Sequence, residues 1–145
     1  METIHQTFYQ KAVLIDSSAL YAIVDDGDQY HIRASAYFRD VVEQQLPIYI
    51  TNASIIETYR LVLHKLGTKR ALQFLDIIFE NCSFVLERMT VDDEEKAREY
   101  VRRFDDHELT LTDAVNFAVM LRVGILTMFG FDHHCYVLGF QKAPA

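Results

Sequence analysis

Five short apolar runs separated by segments of helical period leave this chain few folds to choose from. The runs are Ala12-Val13-Leu14-Ile15, Pro47-Ile48-Tyr49-Ile50, Cys82-Ser83-Phe84-Val85-Leu86, Ile125-Leu126-Thr127-Met128-Phe129 and Tyr136-Val137-Leu138-Gly139-Phe140. Each has the length and β-branched or aromatic content of a buried strand, and the last would form an edge. Between them lie helical stretches. Ser17 to Val24 reads as a short helix, and the turn Asp25-Asp26-Gly27-Asp28 caps a longer one running to about Gln45. From Asn52 to Leu66 apolar residues recur at Ile55, Ile56, Tyr59, Leu63 and Leu66, and Gly67 follows as a stop signal. A helix over about 68–80 turns Leu72, Leu75, Ile78 and Phe79 inward. Another opens at Thr90, with Glu94 and Glu95 in its first turn, and runs to about Phe104. The last, capped by Thr110 or Thr112, presents Val115, Phe117, Val119, Met120 and Leu121 and ends at Gly124. Strand and helix alternating through short connections predict an α/β fold, a parallel sheet covered by helices on both faces.

With 145 residues, half of them hydrophobic, and only 5 Gly and 2 Pro, the chain is expected to form one domain, 1–145, with its core at about 11–140. Met1 to Gln10 and Gln141 to Ala145 read as dispensable. Cys82 and Cys135 lack any paired spacing and read as reduced thiols. No apolar run approaches the ~18 residues of a bilayer span, and the N-terminus lacks a secretory pattern, so no membrane association and a cytoplasmic location are expected. A formal charge of −7 argues against a protein that coats nucleic acid non-specifically, but it leaves a nuclease open, because acids clustered at a metal site add negative charge that bound cations offset. Two basic groups, Arg60, His64, Lys65, Lys69, Arg70 and Lys96, Arg98, Arg102, Arg103, read either as solvated helix faces or as steering surface for a phosphodiester backbone.

Four carboxylates, Asp16, Glu57, Asp113 and Asp132, are each read as lying at or just beyond the end of an apolar, strand-like run. In open parallel sheets the ligand crevice lies beyond the carboxyl ends of the strands, where such acids converge. Each also has a local reading. Asp16 suits an N-cap, Glu57 stands three residues after Ser54 and fits capping-box spacing, Asp113 three after Thr110 approximates it, and Asp132 suits a turn.

These residues resemble the motifs of the PIN-domain family, the fold of many bacterial toxin endoribonucleases of the VapBC type. Ile15-Asp16-Ser17-Ser18 is similar to its first motif, and Glu57 in Asn52-Ala53-Ser54-Ile55-Ile56-Glu57 to its helical acid. Thr110-Leu111-Thr112-Asp113-Ala114 resembles the third motif, and Leu126-Thr127 through Phe131-Asp132 the fourth. One difference bears on Asp132: Met128-Phe129-Gly130-Phe131 intervene between Thr127 and the acid. The resemblance covers most of the chain and implies a three-layer α/β/α fold with a central, mainly parallel sheet. It further implies metal-dependent hydrolysis of RNA, with Asp16, Glu57, Asp113 and Asp132 catalytic. Asp16, Asp113 and Asp132 would ligate Mg²⁺ or Mn²⁺, and Glu57 would bind through water or orient it. Ser17, following the first acid, would hydrogen-bond a ligand or phosphate. Asn116, one turn after Asp113, is a weaker candidate to support the site. A homodimer and a cognate antitoxin are the partners the resemblance suggests.

Chemistry supports an oxygen-ligated cation, because crowded carboxylates repel one another unless a divalent ion compensates. His133 and His134 follow Asp132 but, as adjacent residues without a spaced His or Cys partner, read as poor ligands. Asp105, Asp106 and Glu108 read as a solvated loop, and most Tyr and Phe as core. Two other acid-tipped α/β classes fit poorly: a haloacid-dehalogenase-type phosphatase needs an Asp where Ser18 stands, and a response-regulator receiver needs a Lys after the 125–129 strand. The non-enzyme alternative is an interaction domain, catalytically weak or inactive, whose acids cap helices or hold a structural cation.

Overall fold

The strands are β1 (Val13–Ile15), β2 (Ile48–Thr51), β3 (Phe84–Glu87), β4 (Thr127–Phe129) and β5 (Gln141–Ala143). In the computed structural model, which describes residues 12–145, they form one sheet of order β3-β2-β1-β4-β5. Every ladder is parallel, with Val13 paired to both Ile48 and Thr127. β1 is central because it is apolar on both faces, and all three of its residues are buried. Alternation divides the core accordingly. Ala12 and Leu14 pack with Met128 against Tyr100, Phe117 and Met120, whereas Val13 and Ile15 pack with Ile48, Ile50 and Phe129 against Leu20, Val41 and Phe74.

The first of those layers carries α5 (Val91–Arg103) and α6 (Leu111–Val123); the second carries α1 (Ser17–Val24), α2 (His31–Glu43), α3 (Asn52–Leu66) and α4 (Thr68–Glu80). Helices on both faces of a parallel sheet agree with the expected α/β/α architecture. α6 is buried over Ala114–Met120 without interruption, so it is a core helix rather than an amphipathic one, and it stops at Gly124, whose left-handed φ of 90° closes the helix.

Three expectations need correction. Leu72 and Phe79 on α4, and Leu121 on α6, are exposed, while Phe74 and Ala71 take the inward positions of α4. The stretch around Tyr136 is a 3-10 turn, His133–Leu138, because the αL residue Gly139 and hydrogen bonds from its own and Phe140's N–H back to Tyr136 and Cys135 curl the chain. The edge strand is instead β5. Gln141 to Ala143 are therefore not dispensable: they complete the sheet, and Gly130 N–H donates to Ala143 O at 3.0 Å. Met1 to Gln10 lie outside the described residues.

Candidate active site

The chain passes from β1 to β2 and β3 on one side, then returns to place β4 on the other side of β1, so the switch in direction falls between β1 and β4. Chains leaving the carboxyl ends of these two strands diverge, and the crevice between them is where such folds hold ligands. A cleft of about 190 Å³ lies there, lined by Asp16, Ser17, Ser18, Glu57, Thr110, Asp113 and Asp132, with Leu61.

Asp16 is the first residue after β1 and the N-cap of α1. Its Oδ1 accepts hydrogen bonds from Ala19 N–H at 3.0 Å and from Ser18 Oγ at 2.6 Å. It is only 3% exposed. Desolvation by burial, opposed by those two hydrogen bonds and aided by the nearby charges of Asp113 and Asp132, raises its pKa from 3.8 to about 7. Capping and site roles thus coexist in one carboxylate. A carboxylate offers about four lone-pair sites, and Oδ2 takes neither of these two bonds.

Two residues beside it follow different paths. Ser17 Oγ donates to Glu57 Oε2 at 2.5 Å, joining α1 to α3. Ser18 Oγ donates to Asp16 and accepts from Phe131 N–H at 3.0 Å, joining α1 to the exit of β4. Only the first of these serines was a sequence candidate, yet Ser18 ties the two sides of the crevice together. Glu57 is free of capping duty: Thr51 is the N-cap of α3, and the Ser54 N–H bonds to it at 3.2 Å, so Glu57 lies a turn further along and reaches the cleft.

Asp113 does form the capping box with Thr110, its N–H donating to Thr110 Oγ1 at 3.1 Å and its Oδ2 accepting from Thr110 N–H at 3.3 Å. The box fixes the carboxylate at the N-terminus of α6, on the wall of the cleft, and the helix dipole there favours its charge. Asp132 arrives differently. Gly130 passes so close to Asp16 that an added Cβ would fall 2.1 Å from Asp16 Oδ2. Phe131 then turns to stack on Tyr30, centroids 4.3 Å apart. The four residues between Thr127 and Asp132 thus complete β4, clear Asp16 and anchor the turn, which leaves Asp132 as N-cap of the 3-10 turn and in the cleft.

Asn116 does not line the cleft. Fully buried, it accepts from Thr51 Oγ1 at 2.6 Å and donates to Ser54 Oγ at 2.9 Å, binding α6 to the N-terminus of α3 behind the site. His134, set aside on sequence grounds, does reach the acids: its Nδ1 is 3.2 Å from Asp113 Oδ2 and 3.2 Å from Asp132 Oδ1. Sequence adjacency to His133 suggested divergent side chains, and they do diverge, His133 being exposed beside Tyr136. The 3-10 turn returns the second histidine to Asp113 and Asp132, and no periodicity in the sequence announces such a turn.

Asp113, Asp132 and His134 bring one donor atom each within 4.8 Å of one another, and Asp16 lines the same cleft as the two aspartates, an arrangement of carboxylate oxygens and one nitrogen that fits a divalent cation. Glu57 also borders a second, larger cleft of about 460 Å³, lined by Ile56, Arg60, Met89 and Leu111 among others. Of the basic groups, Arg60 shares this second cleft with Glu57, whereas Arg98 and Arg102 alternate with Glu95 and Glu99 and Arg103 lies over Tyr100 and Phe104. The second group is a mixed-charge helix face. Asp105, Asp106 and Glu108 are exposed, as expected.

Residues 13–140 match the PIN domain family profile. The sequence is 30% identical over 131 residues to the 23S rRNA-specific endonuclease VapC20 of Mycobacterium tuberculosis, an alignment spanning 90% of this chain and 96% of that protein. The crystal structure of M. tuberculosis VapC20, a sarcin-ricin loop cleaving toxin, superposes with a TM-score of 0.79 at 28% identity, covering 89% of this chain and 96% of the other. FitAcB from Neisseria gonorrhoeae superposes with a TM-score of 0.63 at 13% identity, over 86% and 91% of the two chains, a likeness of fold alone.

Proposed function

This chain belongs to the PIN-domain family, and from that premise we propose that it is a metal-dependent endoribonuclease, the toxin of a toxin–antitoxin pair, that hydrolyses RNA phosphodiester bonds at its acidic cleft. The observation that carries the reading is the convergence of Asp16, Glu57, Asp113 and Asp132, from four separate segments, on one crevice at the β1/β4 switch point. A structured ribosomal RNA loop is the substrate to try first, by analogy with what VapC20 is named for.

Asp16, Asp113 and Asp132 would hold the ion, Mg²⁺ or Mn²⁺. Bound there, such an ion polarises a phosphodiester and lowers the pKa of an attacking water. The chain's own groups do the rest. Asp16, buried beside two other acids, binds a cation at the cost of its proton. Glu57, aimed by Ser17 Oγ, accepts a hydrogen bond from water entering the cleft and orients it. Asn116 acts at one remove, holding together α3 and α6, the helices that carry Glu57 and Asp113 to the cleft. Arg60, next to Glu57, offers a cation to the phosphate backbone beyond the scissile bond.

One domain, residues 1–145 with the core at 11–140, suffices for this site. Among the described residues no helix is long and apolar enough to cross a membrane, and an RNA substrate fits a cytoplasmic enzyme. An apolar groove of about 400 Å³ between α1, α2, α4 and β3, bordered by Ile23, Phe38, Ile77 and Phe84, supports a protein partner, either an antitoxin or a second copy in a homodimer.

The test is incubation of purified protein with single-stranded and hairpin RNAs, a sarcin-ricin-type loop included, in EDTA, Mg²⁺ or Mn²⁺. Metal-dependent internal cleavage should fall by roughly 100-fold or more in Asp16→Asn and Asp113→Asn. The capping roles of Asp16 and Asp113 favour one rival, a catalytically weak interaction domain with a structural cation. Metal-induced stabilisation without cleavage, in wild type and variants alike, would establish that rival.

A further inference from the structure

His134 contacts two of the acids that line the cleft, and the family-based reading gives it no task. We propose that its Nδ1 is a direct ligand of the divalent ion, forming with Asp113 and Asp132 a mixed nitrogen and oxygen set that favours first-row transition ions such as Mn²⁺ over Mg²⁺. The inference rests on the metal-dependent reading above and specifies which metal class the site takes.

Geometry is the first support. One donor atom from each of Asp113, Asp132 and His134 lies within 4.8 Å of the other two, and Nδ1 is 3.2 Å from a carboxylate oxygen on either side. Ligands at right angles on an ion with bonds of 2.0–2.1 Å are about 3 Å apart, and both distances from Nδ1 to the carboxylate oxygens are close to that spacing. Rigidity is the second. Asp132 Oδ1 accepts from His134 N–H at 3.0 Å, so backbone and ring of the same residue are tied to a single carboxylate, and the 3-10 turn holds both. The His134 side chain is 27% exposed, enough for an ion to enter but not a freely rotating surface ring.

Donor chemistry supplies the selectivity. Mg²⁺ takes oxygen ligands and keeps its waters, whereas imidazole nitrogen suits transition ions. To ligate, Nδ1 must be the bare nitrogen, with the proton on Nε2. His133, exposed on the same turn and ring-stacked with Tyr136 at 6.4 Å, is the natural control.

The experiment uses metal-stripped, full-length protein. Pulsed electron paramagnetic resonance of the Mn²⁺-loaded protein should show nitrogen-14 modulation from a directly bound imidazole, lost in His134→Gln and retained in His133→Gln. Calorimetric titrations should show Mn²⁺ affinity falling roughly ten-fold in His134→Gln, with Mg²⁺ affinity changing about two-fold or less. Mn²⁺ bound without nitrogen modulation in wild type, or equal losses for both ions, would overturn the proposal while leaving the metal-dependent nuclease standing. Failure of wild type to bind either ion, with Asp113→Asn indistinguishable from it, would overturn both.

Discussion

Asp16 is where structure and chemistry conflict most. Its folded pKa of about 7, against 3.8 when solvated, means that between those values the folded chain holds a proton the unfolded chain has released. Stability contributed by this group is therefore full below about pH 4 and lost as pH rises to about 7. In EDTA, Asp16→Asn keeps the hydrogen-bonding shape without the charge, so its stability relative to wild type should rise across that window by up to about 4 kcal/mol and level off above it. Urea unfolding of both proteins from pH 4 to 8 checks this, and a flat difference would contradict it. Gly130→Ala tests the same spot from the other side. A methyl group 2.1 Å from Asp16 Oδ2 must push that carboxylate or the β4 exit aside. The variant should lose about 1–3 kcal/mol in thermal or urea unfolding, as overpacked sites do, and lose cleavage with it.

Elements were legible in proportion to how local their causes are. β1, α1, α3 and α6 follow from apolar runs and caps that a reader meets within a few residues: Thr110, Gly67 and Gly124 mark ends that the structure keeps. The C-terminal edge was misread because Tyr136-Val137-Leu138 has strand composition, while the feature that bends it, a chain of backbone bonds around Gly139, is tertiary. The same limit hid His134 and Ser18, whose partners lie 21 and 113 residues away. α3 and α6 show how elements are joined beneath the site. Asn116→Ala should cost about 2–3 kcal/mol, because Thr51 and Ser54 hydroxyls stay buried with a partner gone. Cleavage should persist at a reduced level, unlike in Asp113→Asn. Denaturation midpoints and initial rates on the same preparations separate the two effects.

At the scale of the molecule, the sheet depends on its last strand. Deleting residues 141–145 exposes the edge of β4 and removes the acceptor of Gly130 N–H, so the truncated chain should melt several degrees lower and aggregate, with cleavage lost. Heat-denaturation and light-scattering traces on full-length and truncated proteins test this; equal melting would mean that β5 is ornamental. The strand order carries one more consequence. β1 is made first yet pairs with β4 more than 110 residues later, and Asp132 and His134 come later still. A chain growing from the ribosome holds its first acid early and lacks the other wall of the crevice until β4 and the turn after it have been synthesised. A copy whose synthesis has stopped short of Asp132 has only one wall of the crevice, so any chemistry that needs both walls waits for the closing of the sheet.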